Sequence, residues 1–329
     1  MMDTADIQEL VAQAQDIADD VLFPRALEAD AAGTVPEYQL QCIADGGFYG
    51  ISTYCDAATI AKVIEAFASG CLTTTFVYTQ HLGAAAAAHT SDGPVGIELA
   101  ADLAGGKKRG GVAFAHMLRP GTPMTTTEPV DGGWVMNGNA PWVTGWGHID
   151  VVHAAARHGD DIVWALIDAR DSATLRSEHV AFAVVDSTQT KVLEFSDHFV
   201  PESRITKVEN YDEWRSRYRL GLRTNGSLAL GVAKRCCDLL DNDALTTRLD
   251  TVRDTLDSIA PADADAMSTA RAQASLFAMQ AATALVAKTG GTSVMMTEHA
   301  QRLVREAMFV TVQGQTPAIK AAMLEHLTG

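Results

Sequence analysis

The sequence is acidic and long enough to form more than one domain. It has 329 residues, 47% of them hydrophobic, and a formal net charge of −16. Such a chain can bury a large core, which predicts two or three domains. The negative charge argues against binding to nucleic acid or to an anionic membrane surface.

Neither a membrane segment nor a structural metal is expected. There is no apolar run of about 18 residues, and no basic start followed by a short apolar segment. The five cysteines form no Cys-x-x-Cys pair and no zinc-like set with histidine. We therefore expect a protein of the reducing cytoplasm that does not bind zinc.

Residues 1–108 are predicted to form an all-helical domain. Apolar residues recur every three or four positions from Ile7 to Leu22, and Pro24 is expected to close this helix. Four further helices are expected at Tyr38–Ala44, Ala57–Ala68, Thr73–Ala88 and Val95–Ala104.

Residues 109–207 have the pattern of short β-strands and are predicted to form a β-barrel-like domain. Gly132-Gly133 and Asn137-Gly138 are turn signals, which predicts a strand at Trp134–Met136 within a tight hairpin. A second short strand is expected at Pro141–Thr144. The other strands are expected at 112–115, 151–155, 162–167, 181–184 and 191–195.

Residues 208–329 return to helical periodicity. Four long helices with few turn residues favour an antiparallel four-helix bundle. The helices are expected at Trp214–Asp238, Leu245–Ile259, Ala264–Lys288 and Glu298–Val312.

The segment Asp131–Asp150 resembles a flavin-binding element of acyl-CoA dehydrogenases. In that family a hairpin with Gly, Trp and Asn-Gly precedes a Trp-x-Thr that packs on the flavin ring. The matching residues are Gly133, Trp134, Asn137, Gly138, Trp142 and Thr144. The resemblance extends over nearly the whole chain. It implies an α+β fold with an N-terminal helical domain, a central β-barrel-like domain and a C-terminal four-helix bundle.

The resemblance also implies FAD as cofactor and an acyl-CoA thioester as substrate. Trp142 and Thr144 match contacts to the isoalloxazine, and Thr316, with its neighbour Gln315, matches the loop that carries the base. Phe114 and His116 lie where the family has a strand that contacts the flavin. Gly290 and Gly291 match a partner-subunit contact, although Ala287 replaces the family's glutamine there.

A polyanionic CoA would need a local basic patch on this acidic chain. One candidate patch is Lys107-Lys108-Arg109, and a second comprises Arg215, Arg217, Arg219 and Arg223. Arg219 and Arg223 are the predicted substrate contacts. The alternative for both patches is an ordinary solvated surface.

The catalytic glutamate of the family is missing. The helix Arg302–Ala307 resembles the family's last long helix, and Gly314 stands at the glutamate position of the following loop. A one-residue shift would place Gln313 there instead. The family's alternative base position, on the first helix of the bundle, is also empty, since Arg215–Ala233 contains no Asp or Glu. His116 is a candidate substitute base.

Three functions remain open from the sequence. The first is a flavoprotein oxidoreductase that acts on the CH–CH group of an acyl thioester, as a homo-oligomer or with a related partner that supplies the base. The second is a flavin-dependent monooxygenase. The third is a catalytically inactive subunit that retains the fold for interactions.

Overall fold

The computed structural model describes residues 3–218, 222–260 and 263–329. Six helices precede the first strand, and aspartates begin two of them. Asp3 accepts a hydrogen bond from the Asp6 amide in α1, and Asp56 accepts one from the Thr59 amide in α4. The helices are α1 Thr4–Ile17, α2 Ala26–Ala31, α3 Glu37–Asp45, α4 Ala57–Gly70, α5 Leu72–Thr90 and α6 Pro94–Ala104.

The helix expected to end at Pro24 continues in altered form. A π-helical turn at Ala18–Leu22 and a 3₁₀ turn at Phe23–Arg25 follow α1 directly. Pro24 lacks an amide proton, but the first turn of a new helical segment leaves its amides unpaired in any case. The proline therefore changes the winding of the chain without ending its helical course.

One sheet of eight strands forms the middle of the chain. The strand order is β6-β7-β3-β2-β4-β5-β8, and β1 pairs in parallel with β4 at the side of this path. The strands are β1 Gly110–Ala113, β2 Thr125–Val130, β3 Gly133–Val143, β4 Val151–His158, β5 Asp161–Asp168, β6 Leu175–His179, β7 Lys191–Pro201 and β8 Ile205–Asn210.

The expected turn at Asn137-Gly138 is wrong. These residues lie inside β3, where the pairing with β7 is irregular between Met136 and Gly138. Gly138 has φ of +109°, and a Cβ there would come within 2.0 Å of the Met124 carbonyl oxygen. Asn137-Gly138 forms a β-bulge, which, like a tight hairpin turn, requires a residue with positive φ. The strand expected at 181–184 is also absent from the described structure, and β6 lies just before it.

The C-terminal helices share one core with the N-terminal ones. Phe67 of α4 belongs to the same buried cluster as Leu228 of α8 and Ala278 of α10. The helices are α7 Tyr211–Tyr218, α8 Leu222–Leu240, α9 Asp243–Ser258, α10 Ala264–Thr289, α11 His299–Val312 and α12 Pro317–Thr328. Among the described helices, none is long and apolar enough to cross a membrane.

The two faces of the sheet have different partners. One face buries a core of its own, which includes Ala113, Val152 and Leu193. The opposite face packs Val151 and Leu166 against α5 and α6. Because side chains alternate along a strand, Val112 and His153 also lie on this second face. The space between this face and the helices contains the candidate site.

Candidate functional site

A cavity of about 540 Å³ lies between the second face of the sheet, the end of α5, and α7. Val112 is paired with His153 across β1 and β4, so both side chains reach the cavity from adjacent strands. Its aromatic wall consists of Phe114, His153, Trp164, Trp214 and Tyr218.

The aromatic side chains of this wall contact one another. The Phe114 ring centroid lies 6.1 Å from that of Trp164, 6.1 Å from that of Trp214 and 5.9 Å from that of Tyr218. Trp164 is 5% exposed, and its Nε1 has no hydrogen-bond partner among the described residues. A buried donor without an acceptor costs about 1–3 kcal/mol. The cavity therefore favours a ligand that brings an acceptor to Trp164.

His153 is a neutral part of the same wall. Its ring stacks on Trp164 with the centroids 4.8 Å apart, and Nε2 lies 2.9 Å from Thr206 Oγ1. Burial lowers the pKa of His153 to about 3. This imidazole therefore brings no charge to the cavity at neutral pH.

Lys207 and Glu209 at the cavity rim are paired with each other, and the exposed Asp92 adds a second carboxylate. Lys207 Nζ lies 2.7 Å from a Glu209 carboxylate oxygen, and Arg217 forms a salt bridge with the same carboxylate. Together, the carboxylates of Glu209 and Asp92 balance the charges of Lys207 and Arg217. The rim thus offers little free positive charge to a polyanion.

A second group of polar side chains lies behind Tyr218. The Tyr218 hydroxyl interacts with the Asn225 amide through a hydrogen bond and with the Arg271 guanidinium electrostatically. Arg271 is 1% exposed, and its Nη2 donates to the Gln313 carbonyl oxygen at 3.3 Å. Its Nε and Nη1 have no partner within the described ranges. Tyr218 therefore connects the aromatic cavity to a buried arginine and to the loop after α11.

Gly314 is held close to this group by its conformation. Its φ of +60° suits glycine, and a Cβ there would lie 3.0 Å from Asn225 Nδ2. Burial lowers the pKa of Arg271 to about 10, so the side chain remains protonated at neutral pH. The surroundings of Gln313 and Gly314 are therefore cationic.

Comparison with known proteins identifies the fold. No protein-family model and no curated protein sequence matches the chain. Butyryl-CoA dehydrogenase from Megasphaera elsdenii matches over 100% of both chains, with 16% identity and a TM-score of 0.82. A glutaryl-CoA dehydrogenase from Mycobacterium smegmatis, in complex with FADH2, matches over 100% of this chain and 95% of its own, with 15% identity and a TM-score of 0.80. The chain has the acyl-CoA dehydrogenase fold.

The α+β architecture predicted from the resemblance is thereby confirmed. A third structure, the FAD complex of PigA, matches over 99% of this chain and 98% of its own, with 17% identity and a TM-score of 0.79. At these identities the likeness establishes the fold. What the acyl-CoA dehydrogenase fold does in this chain has to be argued from its own residues.

The predicted flavin contacts Trp142 and Thr144 lie at the end of β3, outside the walls of the aromatic cavity. Trp142 is 44% exposed, has φ of +68°, and its ring centroid lies 5.7 Å from that of Phe182. Thr144 is buried, and its Oγ1 lies 2.8 Å from Thr190 Oγ1. The Trp142 indole is thus accessible to a ligand, whereas the Thr144 hydroxyl is already bonded within the protein.

Of the two predicted residues after β1, only Phe114 reaches the cavity. His116 is buried, and its Nε2 lies 3.0 Å from the Ala155 carbonyl oxygen. Nε2 therefore carries the proton and donates it, while Nδ1 has no partner among the described residues. Burial lowers the pKa of His116 to about 4, which makes it a weak base.

The four remaining residues predicted to contact the cofactor lie away from the aromatic cavity. Gly290 and Gly291 follow the end of α10, where the Gly290 amide donates to the Val286 carbonyl. Gln315 donates to the Thr311 carbonyl, and Thr316 Oγ1 accepts from the Ile319 amide as the N-cap of α12. The structure brings none of these four to the aromatic cavity.

Several members of the two basic patches form local ion pairs. Arg223 Nε lies 2.7 Å from an Asp257 carboxylate oxygen, while Arg219 lies outside the described residues. Lys107 pairs with Asp102 at 3.1 Å, and Arg109 pairs with Glu37 at 2.5 Å. No group of three potential metal ligands occurs in the described part of the chain.

Sequence reasoning missed Trp164, Tyr218 and Arg271. Trp164 lies in the apolar run of β5 and looks like an ordinary core residue. Arg271 carried a usable signal, because it is a single arginine within the alanine-rich segment Met267–Ala282 of α10. A charged residue is rarely buried without a partner, so an isolated arginine on an apolar helix indicates a possible ligand contact.

Proposed function

We propose that the chain is a flavoprotein oxidoreductase that binds FAD, with the flavin ring at the aromatic cavity. One observation carries the proposal: the aromatic wall of the cavity contains a buried Trp164 donor without an acceptor. The fold supports it, because a glutaryl-CoA dehydrogenase with FADH2 and the FAD complex of PigA share that fold. When bound, the flavin supplies the acceptor for a hydride.

The residues at the cavity suit a planar heteroaromatic ring. Phe114, Trp214 and Tyr218 offer aromatic surface, which favours stacked and edge-on contacts with such a ring. Trp164 Nε1 can donate a hydrogen bond to a ring nitrogen or carbonyl oxygen of the flavin. The accessible Trp142 indole remains a proposed further contact from β3.

A variant of Trp164 tests this assignment. Trp164→Phe keeps an aromatic ring but removes the donor, so we expect FAD to bind about fivefold to tenfold more weakly, as for the loss of one hydrogen bond. Trp134→Phe is the matched control, because Trp134 Nε1 already donates to Glu202 and Trp134 does not line the cavity. The measurement is a fluorescence or absorbance titration with FAD. Equal affinity of both variants and the wild type would contradict this position for the ring.

For the substrate, we propose an acyl thioester whose CH–CH group is oxidised. This reaction needs a base for the α-proton. The loop Val312–Thr316 contains no carboxylate, and the buried Glu65 and Glu306 are bonded to Arg253 and Arg302. At the cavity, Glu209 is paired with Lys207 and Arg217, and Asp92 is exposed to solvent at the rim. We therefore propose that a related partner chain in a hetero-oligomer supplies the base.

Activity measurements test the role of a partner. The isolated chain should oxidise acyl-CoA thioesters slowly or not at all, even when loaded with FAD. Co-purification with a related chain that carries the glutamate should restore oxidation. Ordinary turnover by the isolated, FAD-loaded chain would refute the need for a partner.

A second candidate is a non-catalytic subunit of the same fold. It is favoured by the Thr144 hydroxyl, which bonds to Thr190 inside the protein and is not presented to a ligand. Failure of the purified chain to take up FAD, together with stable association with a related chain, would support this candidate over the flavoprotein.

A further inference from the structure

We infer that Arg271, together with Tyr218 and Asn225, forms a binding site for a ligand carboxylate. All three side chains present hydrogen-bond donors. Arg271 of α10 packs against α8, where a Cβ at Gly226 would lie 3.3 Å from its Cδ, and Tyr218 interacts with both Asn225 and Arg271. The inference does not depend on flavin binding, and its test contains no flavin. It identifies one chemical group of the ligand, a carboxylate, which the proposed function does not specify.

The first argument is that Arg271 lacks a counter-charge. It is fully buried, its one hydrogen bond goes to the neutral Gln313 carbonyl, and two of its nitrogens are unpaired among the described residues. A buried charge without a partner costs several kcal/mol. The ionisable groups that interact with it are Tyr218 and Arg223, and neither is an anion at neutral pH.

The other buried arginines of the described chain differ from Arg271 in this respect. Arg302 bonds to Glu306 at 2.5 Å, and Arg235 forms a salt bridge with Asp19. The half-buried Arg253 donates three hydrogen bonds to Glu65. The seven residues outside the described ranges contain no Asp or Glu. The sequence therefore provides a carboxylate to each of these arginines but not to Arg271.

The second argument concerns access from the cavity. Tyr218 lines the aromatic cavity, and its hydroxyl interacts with Asn225 and Arg271. Arg271 and Asn225 do not line the cavity themselves, so a ligand group would reach the arginine only if the Tyr218 ring turned aside. The loop at Gln313 and Gly314 closes the other side, because Gly314 lies against Asn225.

The donor set favours a carboxylate over a phosphate. One guanidinium, one amide and one hydroxyl can neutralise and bond a single negative charge, and charge-assisted bonds from arginine to carboxylate are strong. A dianionic phosphate would need further cations, and Arg223 is already paired with Asp257. Carboxylates and phosphates both present negatively charged oxygens, and the experiment below distinguishes between them.

The experiment is thermal unfolding of the full chain with three probes at equal ionic strength: glutarate, the neutral glutaramide, and inorganic phosphate. Glutarate should raise the Tm of the wild type by several degrees, whereas glutaramide and phosphate should have little effect. No rise with glutarate, or a rise with phosphate as large as with glutarate, would overturn the assignment.

Variants identify the residue responsible. Arg271→Met removes an uncompensated buried charge and is expected to fold. It should lose the response to glutarate, while Arg248→Met, which removes an exposed cation from α9, should keep it. Tyr218→Phe retains the ring, and its affinity for glutarate should fall about fivefold through loss of one hydrogen bond. An unchanged response in Arg271→Met or, if that variant fails to fold, in Tyr218→Phe would refute the site.

Discussion

Gln313 is the residue at which a single change could restore catalysis. It stands at one of the two positions that the resemblance assigns to the base, and its backbone carbonyl accepts from Arg271. Its side-chain Oε1 is buried and has no partner among the described residues. An amide at this position can neither take up a proton nor balance the charge of Arg271.

Gln313→Glu should therefore give the isolated chain a carboxylate base. A positioned general base contributes about 10²–10⁴-fold to a rate, so we expect at least a hundredfold gain in thioester oxidation by the FAD-loaded chain. Gln315→Glu is the control, because it adds the same charge to the same loop at an exposed position. Equal rates in Gln313→Glu and Gln315→Glu would show that residue 313 does not face the reacting carbon.

The sequence identified some side chains of the candidate site but not their surroundings. The resemblance points to Phe114 and to the loop at Gln313 and Gly314. In the structure Phe114 contacts Tyr218, and Gln313 accepts a hydrogen bond from Arg271, which interacts with Tyr218. That Thr144 is bonded to Thr190 could not be foreseen, since the pairing joins residues 46 apart in sequence. Short motifs specify residue types, whereas hydrogen-bond partners depend on the complete fold.

At the level of elements, the close contact of α4 with α8 depends on small side chains. A Cβ at Gly231 of α8 would lie 2.5 Å from the Cβ of Ala68 and 2.5 Å from the Glu65 carbonyl oxygen in α4. These helices join the N-terminal and C-terminal parts of the chain in one core. The absence of a side chain at Gly231 therefore positions the helices around the candidate site.

Gly231→Ala should destabilise the chain by about 1–3 kcal/mol, because overpacking forces the helices apart and outweighs alanine's better helix propensity. Urea unfolding measures this loss. Gly291→Ala is the matched control, since a Cβ there has no atom within 4 Å, and it should leave stability nearly unchanged. Similar stability of both variants would show that α4 and α8 are not in close contact.

Element boundaries were predicted well where periodicity was strong and poorly where one signal has two meanings. The expected helix at Ala57–Ala68 is close to the observed Ala57–Gly70. Asn137-Gly138 predicts a turn, although a glycine with positive φ is equally suited to a bulge. Only the pairing of β3 with β7 decides between them, and that pairing is not encoded locally.

For the whole molecule, buried histidines predict a loss of stability in acid. Burial lowers the pKa of His81 and His116 to about 4 and that of His153 to about 3. In the unfolded chain these groups titrate near about 6.5. Between about pH 6.5 and 4 the unfolded chain binds more protons than the folded one, so the free energy of unfolding should fall as the pH is lowered.

Urea unfolding at a series of pH values checks this dependence. The His81→Gln variant should show a flatter dependence, because glutamine can still accept from the Gly110 amide and donate to the Tyr49 carbonyl without binding a proton. His326→Gln, at an exposed position, should match the wild type. A free energy of unfolding that is constant between pH 6.5 and 4 would contradict the burial of these imidazoles.

The sequence predicted the overall architecture because helical and strand periods change clearly along the chain. The observed helices up to Ala104, the strands from Gly110 to Asn210 and the helices from Tyr211 follow that order. The unity of the helical core was not predicted, because periodicity shows that a helix has an apolar face but not which helix covers it.

Flavin uptake tests the central claim most directly. The chain should be purified, titrated with FAD and examined for the flavin absorbance at about 450 nm after removal of free cofactor. We predict one FAD retained per chain in the assembled protein, with a spectrum altered by the aromatic cavity. Protein that remains colourless after the titration, alone and with a related partner chain, would contradict the assignment as a flavoprotein.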